Sequence, residues 1–270
     1  MSACRFWIWT SSVMSGNYQT AAAIITAVEI ETLAVRKLYP KWEKATFPGD
    51  KQAYYLTAFH RDNKDYSLVT AQQDVMGMTS AALLCAKIIA QFRPRYLIMC
   101  GIAAGIGEGI DQVYGDILVP DLVWDYSTGK FVGADEAEIR FGDLGFLPRP
   151  KSVAVDEAVL SVIKSIQGRS DNEFHVHIGP MACGSTVVAN HDFVSKRVLP
   201  LFRSTIGLDM ESYSVVYAAK NFPEPSPTPI IIKGICDYAD EEKSDQYQKF
   251  AAYNSSQFTK YLLENHLPLE

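Results

Sequence analysis

Tyr96-Leu97-Ile98-Met99-Cys100-Gly101-Ile102-Ala103-Ala104-Gly105-Ile106-Gly107 is the stretch on which the fold turns. Its first four residues form a continuous apolar run, the pattern of a strand buried on both faces. The small residues that follow let another group come close to the backbone. A dinucleotide-binding fingerprint would open a helix at once. Here the chain continues through Gly109 to a turn and then into the apolar run Asp116–Val123, which starts after Gly115. The dinucleotide reading fails, and the segment reads as a short strand running into a small-residue loop.

Outward from this segment, apolar β-rich runs alternate with helical spacing. Upstream, Ala22–Val28 reads as a buried strand, and Glu29–Tyr39 as a helix stopped by Pro40. Ala53–Phe59 and Tyr66–Thr70 read as strands, and Met78–Phe92 as a helix closed by Pro94. Downstream, strands are expected at His175–Ala182, Thr205–Leu208 and Ile230–Ile235. Helices are expected at Val155–Ile166, His191–Leu199, Met210–Lys220 and Lys243–Glu264. Asp125–Pro150, rich in glycine and charge, reads as a long loop at an active site or interface. The alternation predicts an α/β chain: a single-domain three-layer sandwich with a mixed central sheet, over residues 21–270. Residues 1–20 are set aside as a flexible N-terminal extension. The apolar run Phe6–Trp9 is too short for a signal-peptide core.

Of the 270 residues, 48% are hydrophobic and 21% charged, an ordinary globular balance. The formal net charge of -6 offers a polyanion nothing, so nucleic acid is not expected as a partner. No apolar run approaches the ~20 residues of a membrane-spanning helix. Five cysteines (Cys4, Cys85, Cys100, Cys183, Cys236) are scattered without a CxxC pair, which predicts free thiols in a reducing, cytoplasmic setting. His175 and His177, two apart on a strand, point to one face and could ligate a metal. With no third ligand nearby in sequence they read as an ordinary strand pair, and no metal or cofactor is expected. A Gly-x-Ser-x-Gly nucleophile elbow is absent.

Three segments carry acids or small residues just after apolar strands, where α/β sheets place their sites. They are Thr26–Glu31, Cys100–Gly107, and the pair Leu208–Ser212 with Gly234–Asp240. Glu29 is accounted for as helix-start charge, and Asp209 and Asp240 as helix caps. Glu31, Glu211 and Asp237 remain as candidates for chemistry.

Taken in order, TAVEIE, DVMGMTSAA, CGIAAGI, GSTVVAN, DMES and CDYAD resemble the purine nucleoside phosphorylase/uridine phosphorylase superfamily. Within it, the chain is most similar to the 5′-methylthioadenosine/S-adenosylhomocysteine nucleosidases, and the resemblance runs from about Ala22 to Glu264. It implies a nucleoside phosphorylase-like fold, a small-molecule purine nucleoside or nucleotide as substrate, and a homodimer or higher homo-oligomer. Met76–Phe92 and Phe131–Leu147 are compatible with such an interface and equally with core. By the same resemblance Glu31 would activate water and Asp237 would protonate the purine at N7. Glu211 would bind the ribose hydroxyls with Met210 packed on the sugar. Val187 and Val188 would flank the base, and Ile102 and Ala103 would belong to the small-residue segment. Two departures stand out. The nucleosidases usually carry Phe-Ile where this chain has Val187-Val188, and a serine where Ile102 stands.

The chemistry has its own logic. Breaking the C1′–N9 bond builds positive charge on the ribose and negative charge on the purine. Protonation at N7 relieves the second, and it needs a carboxyl group that burial keeps protonated, the part expected of Asp237. A carboxylate must also orient the water. A phosphorylase, the rival enzyme, would hold phosphate with arginines, one just before the small-residue segment, yet Leu97-Ile98-Met99-Cys100 carries no cation. A non-catalytic nucleoside-binding or storage protein of the same fold is the rival outside enzymes. A nucleotide substrate would need cations near its 5′ end, for which Arg140, Arg149 and Lys151 are candidates, and Trp124–Lys130 departs from the methylthioadenosine enzymes in the same region.

Overall fold

Thr20–Thr26 is buried along its whole length, as a run of alanine and isoleucine between two other strands must be. This is β1, and it lies parallel to a neighbour on each side, with Ala22 opposite Leu68 on one and Tyr96 on the other. The computed structural model describes residues 18–107, 111–132, 146–167, 173–242 and 244–269. The expected N-terminal extension and Arg140 lie almost wholly outside these described residues.

After β1 come α1 (Glu29–Arg36), β2 (Glu43–Ala45), β3 (Tyr54–Arg61), β4 (Lys64–Gln72), α2 (Met78–Phe92), β5 (Pro94–Gly105) and β6 (Ile117–Asp125). The second half adds β7 (Gly129–Phe131), β8 (Phe146–Pro148), β9 (Lys151–Ala154), α3 (Glu157–Gln167) and β10 (Val176–Cys183). Then follow β11 (Gly207–Asp209), α4 (Ser212–Asn221), β12 (Thr228–Asp237) and α5 (Gln248–Asn265).

The main sheet runs β11-β10-β6-β12-β5-β1-β4-β3-β2, mixed in direction, with β9 on β6. Its far end also pairs back, with Gly207 opposite Gly105 and Leu208 opposite Ala104 across β11 and β5. Strands β5, β12, β6, β10 and β11 therefore close on themselves, and β1, β4, β3 and β2 extend from β5 as an open wing. The wing's hairpin turns at Asp62 and Asn63, both at positive φ (52° and 61°), a turn chemistry these two residue types tolerate. Helices α1 and α5 pack together, as do α2 and α4, and the two groups cover the sheet. No described helix is long and apolar enough to cross a membrane.

Several expectations are corrected. Cys100–Gly105 is not a loop but the second half of β5, held by β12 along one edge and finally by β11. Low intrinsic strand preference of glycine and alanine is overridden by pairing, which needs no side chain. The long loop at Asp125–Pro150 contains an antiparallel pair, β7 with β8, and residues 133–145 between them are not described. The helix expected at His191–Leu199 is one α-turn, His191–Phe193, continued by a π-helix over Val194–Val198. The helix expected from Met210 starts at Ser212, because β11 carries the chain in as far as Asp209. The four described cysteines are free and buried, and Cys4 is outside the described residues.

Candidate active site

The ends of β1, β5, β11 and β12 converge on one cavity of about 590 Å³. Glu31, Ile102, Ala103, Val187, Val188, Met210, Glu211 and Asp237 all line it.

Glu31 is the third residue of α1 and folds back over the start of its own helix, where unpaired amides gather. The amides of Ala27 and Val28 donate to its Oε2 at 2.6 and 3.1 Å. From β5, the amide of Ile102 donates to Oε1 at 2.8 Å. Room for this carboxylate exists because residue 101 is glycine: a Cβ there would stand 2.2 Å from Oε1. Burial pushes the Glu31 pKa above the usual carboxylate range, while the charge of Lys233 and the three amides hold it back.

Asp237 ends β12 at a bulge, since Ile235 faces Ala103 and Asp237, two residues on, faces the very next residue, Ala104. The extra residue re-aims the side chain. Its Oδ1 accepts from the amide of Ala239 at 3.0 Å, and Cys236 Sγ lies 3.2 Å from Oδ2 and 3.5 Å from the carbonyl oxygen of Ala103. Asp237 is only 3% exposed.

Glu211 accepts at Oε1 from the amide of Gly77 (2.8 Å) and from Gln73 Nε2 (3.1 Å). Gly77 sits at φ +110°, a conformation L side chains rarely adopt, so this turn requires glycine. Met210 lies beside Glu211 on the same wall, and Val187 stands at the open lip, 56% exposed.

Two residues at or beside the cavity were not anticipated. Lys233, fully buried in β12, places Nζ 3.1 Å from Asp209 Oδ2 and 3.6 Å from Glu211 Oε2. Burial alone would lower its pKa, but Asp209, Glu211 and Glu31 together outweigh that and raise it, so it stays charged. A single lysine in an apolar run was the available signal. Asp209 accepts from the Ser212 amide at the start of α4, although the N-cap position itself is Glu211, and it is also this lysine's partner. Tyr126, just past β6, is the second: it lines the cavity with Thr186, whose carbonyl accepts from its hydroxyl at 3.3 Å. It gives the cavity an aromatic surface on the same lining as Val187 and Val188. Its segment, Trp124–Lys130, stood out in the sequence only as a departure from the methylthioadenosine enzymes.

Asp240 accepts from the Glu242 amide at 3.1 Å, a local turn. Arg149 and Lys151 do not line the cavity. His175 and His177 are also outside it, and the expectation that they lack a third ligand is corrected: Asp116 lies against both.

The model of the Phosphorylase superfamily matches residues 21–265. Among curated relatives, the uncharacterized protein y4jS of Sinorhizobium fredii is 29% identical, covering 92% of this chain and 65% of its own length. ATP nucleosidase Cap17 of Escherichia coli is 22% identical, over 90% of this chain and 50% of its own length. The chain thus spans about two thirds and one half of these two relatives. The 5′-methylthioadenosine/S-adenosylhomocysteine nucleosidase of Colwellia psychrerythraea is 26% identical over 90% of this chain and 95% of its own. The solved structure of the nucleosidase of that name from Neisseria meningitidis, in complex with methylthio-immucillin-A, shares the fold with a TM-score of 0.70. That match is 22% identical and covers 91% of this chain and 99% of the other.

Proposed function

The chain belongs to the phosphorylase superfamily, and from that premise we propose that it hydrolyses the N-glycosidic bond of an adenine-type purine nucleoside or nucleotide and releases the base. Asp237 protonates N7 of the leaving purine, and Glu31 orients and deprotonates the attacking water. Glu211 takes the ribose hydroxyls beside Met210, and Tyr126 with Val187 and Val188 forms the wall for the base.

The observation that carries this reading is the charge of the cavity. Glu29, Glu31, Asp209, Glu211, Asp237 and Asp245 line it, and no lysine, arginine or histidine is among the described lining residues. A phosphorylase would have to hold a dianion against these carboxylates with no cation on the described lining to bind it. Water carries no such cost. A base with a raised pKa is also the better proton acceptor near neutral pH, and general acid–base assistance is worth about 10²–10⁴ in rate per group.

One comparison favours a nucleotide over a nucleoside. Cap17, an ATP nucleosidase by name, is a relative of the appropriate kind.

Base release from methylthioadenosine, adenosine, inosine, AMP and ATP, each with and without inorganic phosphate, tests the proposal. We expect release without phosphate, strongest from an adenine substrate. Release that strictly requires phosphate makes the protein a phosphorylase, and binding without any release makes it a storage protein.

A further inference from the structure

We propose that Asp116, His175 and His177 form a binding site for a divalent transition-metal ion of the zinc type, separate from the cavity. His175 and His177 stand on one face at the start of β10, and β6, paired beside it in parallel, brings Asp116 to the same height through the bond from the Ile117 amide to the His175 carbonyl. His175 Nδ1 lies 2.9 Å and His177 Nε2 2.8 Å from the same oxygen, Asp116 Oδ2. The three potential ligand atoms all fall within 4.8 Å of one another.

Two imidazoles and one carboxylate are a donor set suited to zinc and its neighbours, and such sites keep further positions for water. Metal–ligand bonds of about 2.0–2.1 Å with these separations correspond to an angle near 90° at the ion. A tetrahedral ion would need each nitrogen to move out by about 0.5 Å. The site can supply that movement. The His175 side chain is 60% exposed, while Asp116 is nearly buried at 6% and held by the amide of Val113 donating to Oδ2 at 3.0 Å. One ligand is therefore fixed and another is free to adjust.

Asp116 is also fixed to the strand that carries Asp237: the Gly115 amide donates to the Ile235 carbonyl and the Ile235 amide to the Asp116 carbonyl, at 2.8 and 2.9 Å. An ion bound here would brace the chain at that crossing of β6 and β12.

The test is zinc titration of the full chain by competition with a chromophoric chelator, after dialysis against metal-free buffer, in parallel with His175→Ala, Asp116→Asn and His175→Ala/His177→Ala. Far-ultraviolet circular dichroism checks that each variant is folded. We expect one zinc per chain, affinity about tenfold or more weaker in each single variant, and no binding at this stoichiometry in the double variant. His175→Ala removes an exposed ring and leaves the fold intact. Absence of stoichiometric zinc in the wild type overturns the site. Equal affinity in wild type and the folded double variant does the same, because the ion would then be held elsewhere.

Discussion

The end of β1 and the end of β12 each deliver one buried carboxylate to the same cavity, and they hold it in different ways. Glu31 receives three backbone amides, from Ala27, Val28 and Ile102, and lies in the field of Lys233. Those donors suit an ionised oxygen pair and fix it as an acceptor. Asp237 receives the Ala239 amide on Oδ1, and its Oδ2 meets the thiol of Cys236, a weak donor. That contrast in donors is what the proposed division of labour rests on, with Glu31 as the base and Asp237 as the acid.

Removing either charge gives the largest expected effect. Glu31→Gln and Asp237→Asn should each lower kcat by about 10²–10⁴, with nucleoside binding retained in Asp237→Asn. Unchanged turnover in either variant would take that residue out of its role. The two differ in a second readout. The folded pKa of Glu31 lies above its unfolded value, so the folded state holds this proton more tightly. Ionising Glu31 then costs stability progressively as pH rises from the ordinary carboxylate range through the raised folded pKa, and levels off above it. Glu31→Gln removes that cost. Its stability relative to wild type, from urea denaturation at a series of pH values, should rise with pH across this window and then level. A margin that shrinks as pH rises would mean that burial does not dominate at Glu31.

Lys233 sharpens the comparison, because its charge faces Asp209, Glu211 and Glu31. Lys233→Met should cost about 3–5 kcal/mol, since it leaves buried carboxylates without their cation. Lys233→Arg, which keeps the charge but not the shape, should lose less. Denaturant unfolding measures both, and a Lys233→Met protein as stable as wild type would mean that the carboxylates are neutralised by another route.

What could be read from the sequence depended on whether the signal was local. β1 and β12 announce themselves as apolar runs, and Glu31, Glu211 and Asp237 stand just beyond strand ends, so the order of the motifs carries the family and the list of cavity residues. Three features depend on partners remote in sequence. Cys100–Gly105 is a strand only because β12 and β11 lie against it. Lys233 in an apolar run conflicts with burial until Asp209 and Glu211 are placed beside it. Asp116 becomes a third neighbour of His175 and His177 only through the pairing of β6 with β10. The π-helix at Val194–Val198 has no sequence signal we can identify.

The smallest effect tests the packing that makes Glu31 the more constrained of the pair. Gly101 keeps an ordinary backbone conformation, absent from the positive-φ residues, so alanine there meets no backbone strain. The nearest atoms its Cβ would meet are those of the Glu31 carboxylate, 2.2 Å away at Oε1 and 2.6 Å at Cδ. Gly101→Ala should therefore push Glu31 away from its amides, lowering turnover and costing about 1–3 kcal/mol of stability. Glu31→Ala removes the obstacle, so Gly101→Ala should be nearly neutral in that background, and the double-mutant cycle should give a coupling of about 1–2 kcal/mol. Independent, additive effects would mean that the Glu31 carboxylate does not rest against residue 101, and the amide cradle that distinguishes it from Asp237 would go with that contact.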